Sequence, residues 1–260
     1  MKIGIIGYGV VGKAIANTLS EKYVIVKYDK FEKYNEFKDL KNCNFIFISV
    51  PTPFDHDRDN VIDDSVVESL ENLVKISYEG VVIIKSTLPV GACKSYYKKY
   101  DLELAYNPEF LRESTTPNED FKNQDCIVIG GPNRGVFNSI KEMYEPVTPY
   151  NAVYHNLSFS EAEMVKYAQN TMLASRVALA NMIFDACDQH NIKYDLIRKI
   201  AFDSFKILGP NMVLVPGPDG KRGFGGKCLP KDIRGFSKIY KSKLLEEIIN
   251  YNVTLRDDKV

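Results

Sequence analysis

Hydrophobic residues in the first part of the chain gather in short runs at 2–6, 23–28, 44–50, 80–85, 102–106, 126–130 and 152–155. Short apolar runs rich in Val, Ile and Phe read as strands. Between them, 13–19, 65–76 and 133–143 repeat their apolar residues at helical spacing. Strand and helix in alternation predict a doubly wound parallel sheet over residues 1–157. From 158 to 260 the period changes to that of helices alone. Residues 160–189 read as one long helix, with Ser160 and Glu163 as a capping box and apolar residues from Met164 and Tyr167 to Met182 and Ile183. At ~1.5 Å per residue it exceeds 40 Å. Its small and apolar residues lie on more than one face, which suits the centre of a homodimer. Further helices are expected at 194–202, 229–240 and 244–255. Residues 54–64 read as a solvated acidic loop, and 208–220, rich in Pro and Gly, as a connecting loop.

Charge and composition narrow the function. Lys+Arg and Asp+Glu are equal at 34 each in 260 residues, so no basic face is expected for nucleic acid or an anionic membrane. The longest apolar runs are too short to span a bilayer. Met1 leads directly into a strand pattern, so no signal peptide is expected. Five scattered cysteines argue against a disulfide framework and for a reducing, cytoplasmic setting. The three histidines have no metal-ligand spacing, so no metal is expected, and a general base would be Asp, Glu or Lys.

Two glycine-rich stretches carry candidate chemistry. Gly7-Tyr8-Gly9-Val10-Val11-Gly12 follows the first strand, opens a helix, and is followed by a second strand ending in Asp29. This is the context of a Rossmann-like dinucleotide site. Gly7 makes the turn, Gly9 admits the pyrophosphate, and Gly12 lets helix and strand pack. The helix N-terminus holds the phosphates. Asp29 binds the ribose hydroxyls and repels a 2′-phosphate, favouring NAD. The turns holding Thr52, Thr87 and Glu109-Phe110 each follow a strand, where ligands bind in such sheets. The second stretch is Gly223-Phe224-Gly225-Gly226-Lys227-Cys228-Leu229-Pro230-Lys231-Asp232. Cys228 is expected at a helix N-terminus between Lys227 and Lys231, an environment that stabilises a thiolate. Asp232 falls on the same face. A covalent nucleophile and a buried structural cysteine both satisfy this pattern. Lys166 and Asn170, four apart on the long helix, are either a polar stripe or a site pair.

In order, GYGVVG, VPTP, KSTLPVG, YNPEFLRE, EAEMVKYAQNTMLA and GFGGKCLPKD make the chain similar, over nearly its whole length, to the UDP-glucose/GDP-mannose dehydrogenase family. That resemblance implies oxidation of a sugar C6 alcohol to a carboxylate with two NAD and one water, UDP-glucose ranking first as substrate. It implies Cys228 as the nucleophile that holds the aldehyde, Glu109 as assisting thioester hydrolysis, and Lys166 with Asn170 as stabilising the oxyanion. Asp232, through a water near Thr87, handles the proton. Tyr8, Val10, Val11, Thr52, Thr87, Glu113 and Lys231 match cofactor-contacting positions. Glu109, Phe110, Leu111, Arg112, Glu113, Lys166, Asn170 and Gly225 match positions around the sugar nucleotide. The family carries a further C-terminal α/β domain, and this chain stops at Val260, about where the helix leading to it begins. Lys206 stands where many members have an arginine. UDP-N-acetyl-mannosamine or GDP-mannose oxidation, or a non-catalytic protein binding NAD and nucleotide sugar, are the competing functions.

Overall fold

The computed structural model describes residues 1–55, 57–112, 116–205, 208–209 and 212–256. In chain order the elements are β1 (Lys2–Ile6), α1 (Val10–Leu19), β2 (Val24–Tyr28), β3 (Phe45–Ile48), β4 (Phe54–Asp55), β5 (Asn60–Val61), α2 (Asp64–Lys75), β6 (Val81–Ile84), α3 (Ala92–Lys99), β7 (Glu103–Tyr106), α4 (Pro117–Lys122), β8 (Cys126–Gly130), α5 (Arg134–Tyr144), β9 (Val153–Leu157), α6 (Phe159–Gln189), α7 (Tyr194–Arg198), α8 (Leu229–Ile239) and α9 (Lys243–Arg256). They form two units, Met1–Pro53 with Val61–Lys166, and Phe54–Asn60 with Tyr167–Val260.

The first unit is built on a seven-stranded sheet in the order β2-β1-β3-β6-β7-β8-β9. Successive residues of a strand face opposite ways. Phe45 and Phe47 of β3 therefore join a core with Ile3, Ile5, Ile15 and Leu19, while Ile46 and Ile48 join another with Leu70, Leu73, Val82 and Leu104. Burial on both faces accounts for the apolar runs of central strands such as β3 and β6. The pairings are parallel except between β7 and β8, which run antiparallel with Tyr106 opposite Gly130. The helix between them, α4, has 6 residues. Two elements had no clear pattern in the sequence. α3 buries only Cys93 and Tyr96, and α4 only Phe121, stripes too sparse to read as helical periodicity.

α6 begins at Phe159, which corrects the expected cap. Ser158 takes that place: its N–H donates to Glu161 Oε2 at 2.8 Å, and Glu161 N–H reaches back to Ser158 Oγ at 3.4 Å. Ser160 lies inside the helix, and Glu163 is fully buried and bonds elsewhere.

The second unit holds the remainder of the 31-residue α6 with α7, α8 and α9. Ala174, Val177 and Ala178 of α6 pack with Phe224, Ile233 and Leu245. A second cluster joins Ala180, Cys187, Tyr194, Val213 and Val215. The helix expected at 194–202 is interrupted: α7 ends at Arg198 and a π-helical turn covers Lys199–Ser204. Arg198 is held there by Asp203, its Nη1 lying 2.9 Å from Oδ2. In the stretch 54–64, expected as a solvated loop, residues 54–55 and 57–60 belong to this unit, β4 and β5 pair, and Asp59 is ion-paired to Lys238 of α8. Val61, next along the chain, is 4% exposed. No helix among the described residues is long and apolar enough to cross a membrane.

Candidate cofactor and catalytic sites

In the first unit the glycine turn divides its work as the spacing implies. Gly7 has φ +88°, and a Cβ there would lie 2.8 Å from Ser49 O. A Cβ on Gly12 would lie 2.1 Å from Gly7 O, so α1 closes on the strand end only with glycine. Gly9 is different: nothing lies within 4 Å of where its Cβ would be, so the turn is open there. Gly9 is also the N-cap of α1, without a side-chain cap and without an acidic residue in the first turn. The amides of Val10, Val11 and Gly12 thus present a positive helix end that nothing in the first turn offsets. Asp29 accepts from Tyr8 N–H at 2.8 Å and Phe31 N–H at 2.9 Å, one bond to each oxygen, which leaves lone pairs for ribose hydroxyls. These residues fit a dinucleotide. Thr52 and Thr87 are buried in the two strand-end turns, which Ser86 links by donating to Val50 O at 2.7 Å.

Glu109 follows β7. Its Oε1 accepts the N–H groups of Phe110 at 2.8 Å and Leu111 at 3.0 Å. The Lys85 ammonium stands 3.0 Å from Oε2 as an ion pair. Lys166, near the start of α6, donates to the Glu109 carbonyl and lies 5.3 Å from the Phe110 ring centroid. Sequence pattern did not single out Lys85. A lysine ending an apolar run reads as a strand terminus, and its place at the carboxyl end of β6 was the available signal. Arg112 is turned to Asp120, with Nε 3.0 Å from Oδ2 and Nη2 2.6 Å from Oδ1. That guanidinium holds the Asp120 carboxyl at about 2. Glu113 and Lys206 lie outside the described residues.

In the second unit Cys228 is exposed and is the N-cap of α8, with Pro230 in the first turn. Asp232 is fully buried one turn on, its N–H donating to Cys228 O at 2.8 Å. Asn170 of α6 donates through Nδ2 to Asp232 Oδ2, and the Lys231 ammonium is 3.3 Å from Oδ1. Gly235 admits the Tyr167 ring, 2.7 Å from where its Cβ would stand. Two of the glycines before Cys228 make room for the protein's own side chains. A Cβ on Gly225 would lie 2.2 Å from Arg256 Nη1, and Gly223 has φ +73° with Asn252 Oδ1 2.5 Å from its Cβ position. Asn252 brackets Phe224, accepting its N–H at 2.7 Å and donating to its carbonyl at 3.0 Å. At Gly225 the missing side chain makes room for Arg256, while nothing lies within 4 Å of the Cβ position of Gly226, which has φ +76°. Lys166 and Asn170 are one turn apart on α6 but are fixed differently, Lys166 by Glu109 and Asn170 by Asp232. Among the described residues no group of three or more His, Cys, Asp or Glu could hold a metal ion.

Residues 24–148 match the NAD binding domain of the UDP-glucose/GDP-mannose dehydrogenase family, and residues 160–254 match its central domain. The UDP-glucose 6-dehydrogenase of Rickettsia bellii is 34% identical over 232 residues, covering 84% of this chain and 51% of that protein. The chain thus spans about half the length of this curated relative. Among solved structures, a UDP-glucose dehydrogenase from Pyrobaculum islandicum superposes with a TM-score of 0.83 at 22% identity, covering 98% of this chain and 68% of that one. A UDP-D-ManNAc dehydrogenase from Pyrococcus horikoshii gives 0.82 at 21% identity, covering 98% and 69%. At these identities the structures establish a shared fold.

Proposed function

Since the chain belongs to the UDP-glucose/GDP-mannose dehydrogenase family, we propose that it carries the core of a nucleotide-sugar 6-dehydrogenase, oxidising UDP-glucose to UDP-glucuronate. NAD is the cofactor of this family domain, and when bound it accepts a hydride in each of two oxidations. Gly9 and the α1 N-terminus receive its pyrophosphate, and Asp29 its ribose. Thr52, Thr87 and Lys231 are cofactor contacts by resemblance, and Phe110, Leu111 and Gly225 substrate contacts. Arg112 serves the substrate only if it leaves Asp120.

The observation that carries the reading is the buried Asn170–Asp232 pair one turn after an exposed cysteine at a helix N-terminus. Burying a carboxylate is costly unless it is bonded, and a buried carboxylate beside a candidate nucleophile marks a functional-site candidate. As the C6 hydride leaves, the hydroxyl proton passes to Asp232 through a water. Lys166 and Asn170 stabilise the oxygen as charge grows on it. The Cys228 thiolate then adds to the aldehyde carbon, leaving the thiohemiacetal oxygen as an alkoxide, and loss of the second hydride from that carbon turns the alkoxide into the thioester carbonyl with no further proton to place. Water adds to that carbonyl and gives its proton to Glu109. The C–S bond breaks, freeing the Cys228 thiolate and the sugar carboxylic acid. Covalent capture keeps the aldehyde in place between the oxidations.

α6 supports a homodimer in this reading. Met172, Leu179 and Met182 on α6 are more than half exposed (66%, 52% and 53%), an apolar surface that a second copy would cover. Sedimentation showing only a 29.5 kDa species would count against it. The scattered spacing of the five cysteines supports a cytoplasmic setting in this reading. The functional test follows NADH absorbance with UDP-glucose, UDP-N-acetyl-mannosamine and GDP-mannose. Two NADH per UDP-glucose supports the reading. Preference for another sugar reassigns the substrate, and binding without turnover makes this a binding protein.

A further inference from the structure

We propose that Lys85 is a positioning residue whose buried ammonium fixes the orientation of the Glu109 carboxylate, the group given the task of assisting thioester hydrolysis. This rests on the role given to Glu109 above. The Lys85 side chain is 1% exposed. Its ammonium meets oxygens of three consecutive residues: Asn107 Oδ1 at 3.0 Å, Pro108 O at 3.4 Å and Glu109 Oε2 at 3.0 Å. The network has a direction. Asn107 donates Nδ2 to Val128 O at 2.7 Å, and a carbonyl can only accept. Asn107 Oδ1 is therefore the acceptor, shared by Lys85 and by the hydroxyl of Tyr144 at 2.7 Å. Burial pushes the Tyr144 hydroxyl well above its ordinary range, so it stays protonated and donating.

Keeping an ammonium here is unfavourable in itself. Burial pushes the Lys85 pKa down, opposed by Glu109, and a hydrocarbon side chain would avoid that desolvation. What Lys85 supplies is the second anchor of a carboxylate. Backbone N–H groups of Phe110 and Leu111 hold Oε1, and Lys85 stands at Oε2. Lys166 meanwhile holds the carbonyl of the same residue. Two lysines thus take separate parts of Glu109, one the side chain and one the backbone.

The test is Lys85→Met in the full chain with UDP-glucose and NAD. The pre-steady-state release of NADH should stay within about twofold of wild type, while thioester hydrolysis falls by at least ~10-fold, the scale of loss when a reacting group is misplaced. Intact mass should show a sugar-acyl adduct on Cys228. In a Glu109→Gln background, Lys85→Met should change hydrolysis by less than about twofold, because its effect passes through Glu109. An equal slowing of the NADH burst, or a full effect persisting in Glu109→Gln, overturns the proposal. Amide exchange of Phe110 and Leu111 tests the anchoring without turnover. Loss of protection by ~10-fold confined to this turn supports it, and unchanged exchange overturns it. If Glu109→Gln hydrolyses the thioester like wild type, the role of Glu109 fails, and the exchange measurement still decides whether Lys85 holds it. Should Lys85→Met not fold, the double variant with Glu109→Gln removes the stranded charge. Folding of the double variant alone supports the pairing, and failure of both makes Lys85 a general structural residue and overturns it.

Discussion

Glu163 accepts the backbone N–H of Cys93 at 2.9 Å through one oxygen, while its other oxygen accepts that of Gly91 at 2.6 Å. Gly91, the N-cap of α3 with φ +96°, has no side chain to cap the helix, and Glu163 does so from α6. This fastens the turn holding Thr87 to α6, three residues before Lys166. Burial pushes the Glu163 carboxyl up, and the Cys93 thiol beside it well above its ordinary value. Glu163→Ala strands two backbone donors, so it should cost about 2–3 kcal/mol. A urea midpoint shift at constant slope measures this, and a loss under about 0.5 kcal/mol would show that water replaces the carboxylate.

Two glycines of the first turn should respond differently to alanine. Gly9→Ala meets open space and a permitted φ of −76°, so melting should barely change while NAD binding weakens by about tenfold or more. Gly12→Ala drives a methyl into Gly7 O and should destabilise the fold itself. Thermal melting beside NAD titration separates them. Equal effects on both quantities in both variants would contradict the division of roles.

Asp29 predicts a choice between cofactors. Its carboxylate, held by Tyr8 and Phe31, faces a 2′-phosphate with like charge. Asp29→Ala should weaken NAD and narrow the gap to NADP. Tighter NADP than NAD binding by the unaltered protein would rule this out.

The Arg112–Asp120 pair predicts a pH dependence. The folded Asp120 carboxyl titrates at about 2 rather than 3.8. The charged form is therefore favoured by folding, and its stabilisation is complete above the unfolded value and lost as pH falls through about 2. Because the Arg112 side chain is 63% exposed and water screens the pair from that side, Asp120→Asn should cost only about 0.5–1 kcal/mol at neutral pH. That difference should vanish by pH ~2. Denaturant titrations at the two pH values check it, and a difference that grows at low pH would be the wrong sign.

Cys228 carries the sharpest chemical expectation. Cys228→Ala should form no covalent adduct with UDP-glucose and NAD. Cys228→Ser should stall after about one NADH per site or accumulate an ester, which hydrolyses more slowly than a thioester. Intact mass and NADH counted per sugar distinguish these outcomes. Two NADH per sugar surviving in the alanine variant would remove Cys228 from the mechanism.

Local pattern was enough for much of this molecule. Apolar runs located the strands because a sheet covered on both faces needs apolar side chains at every position, and the turn at Gly7–Gly12 was legible because its constraints act within a few residues. Cys228 at a helix N-terminus followed from Pro230 and the amphipathic residues after it. What tertiary structure alone decided was where buried polar groups find partners. Lys85 and Glu109 are separated by 24 positions, Glu163 and Gly91 by 72, and Asn170 and Asp232 by 62. Nothing local to either member specifies its partner. Glu163 fitted a capping box by spacing, yet burial sent its carboxylate to another helix. The glycines before Cys228 were legible in the sequence, but not that the missing Cβ of Gly225 makes room for Arg256. A buried charge or amide must be satisfied by whatever packing brings within about 3 Å, and that is set by how distant elements meet.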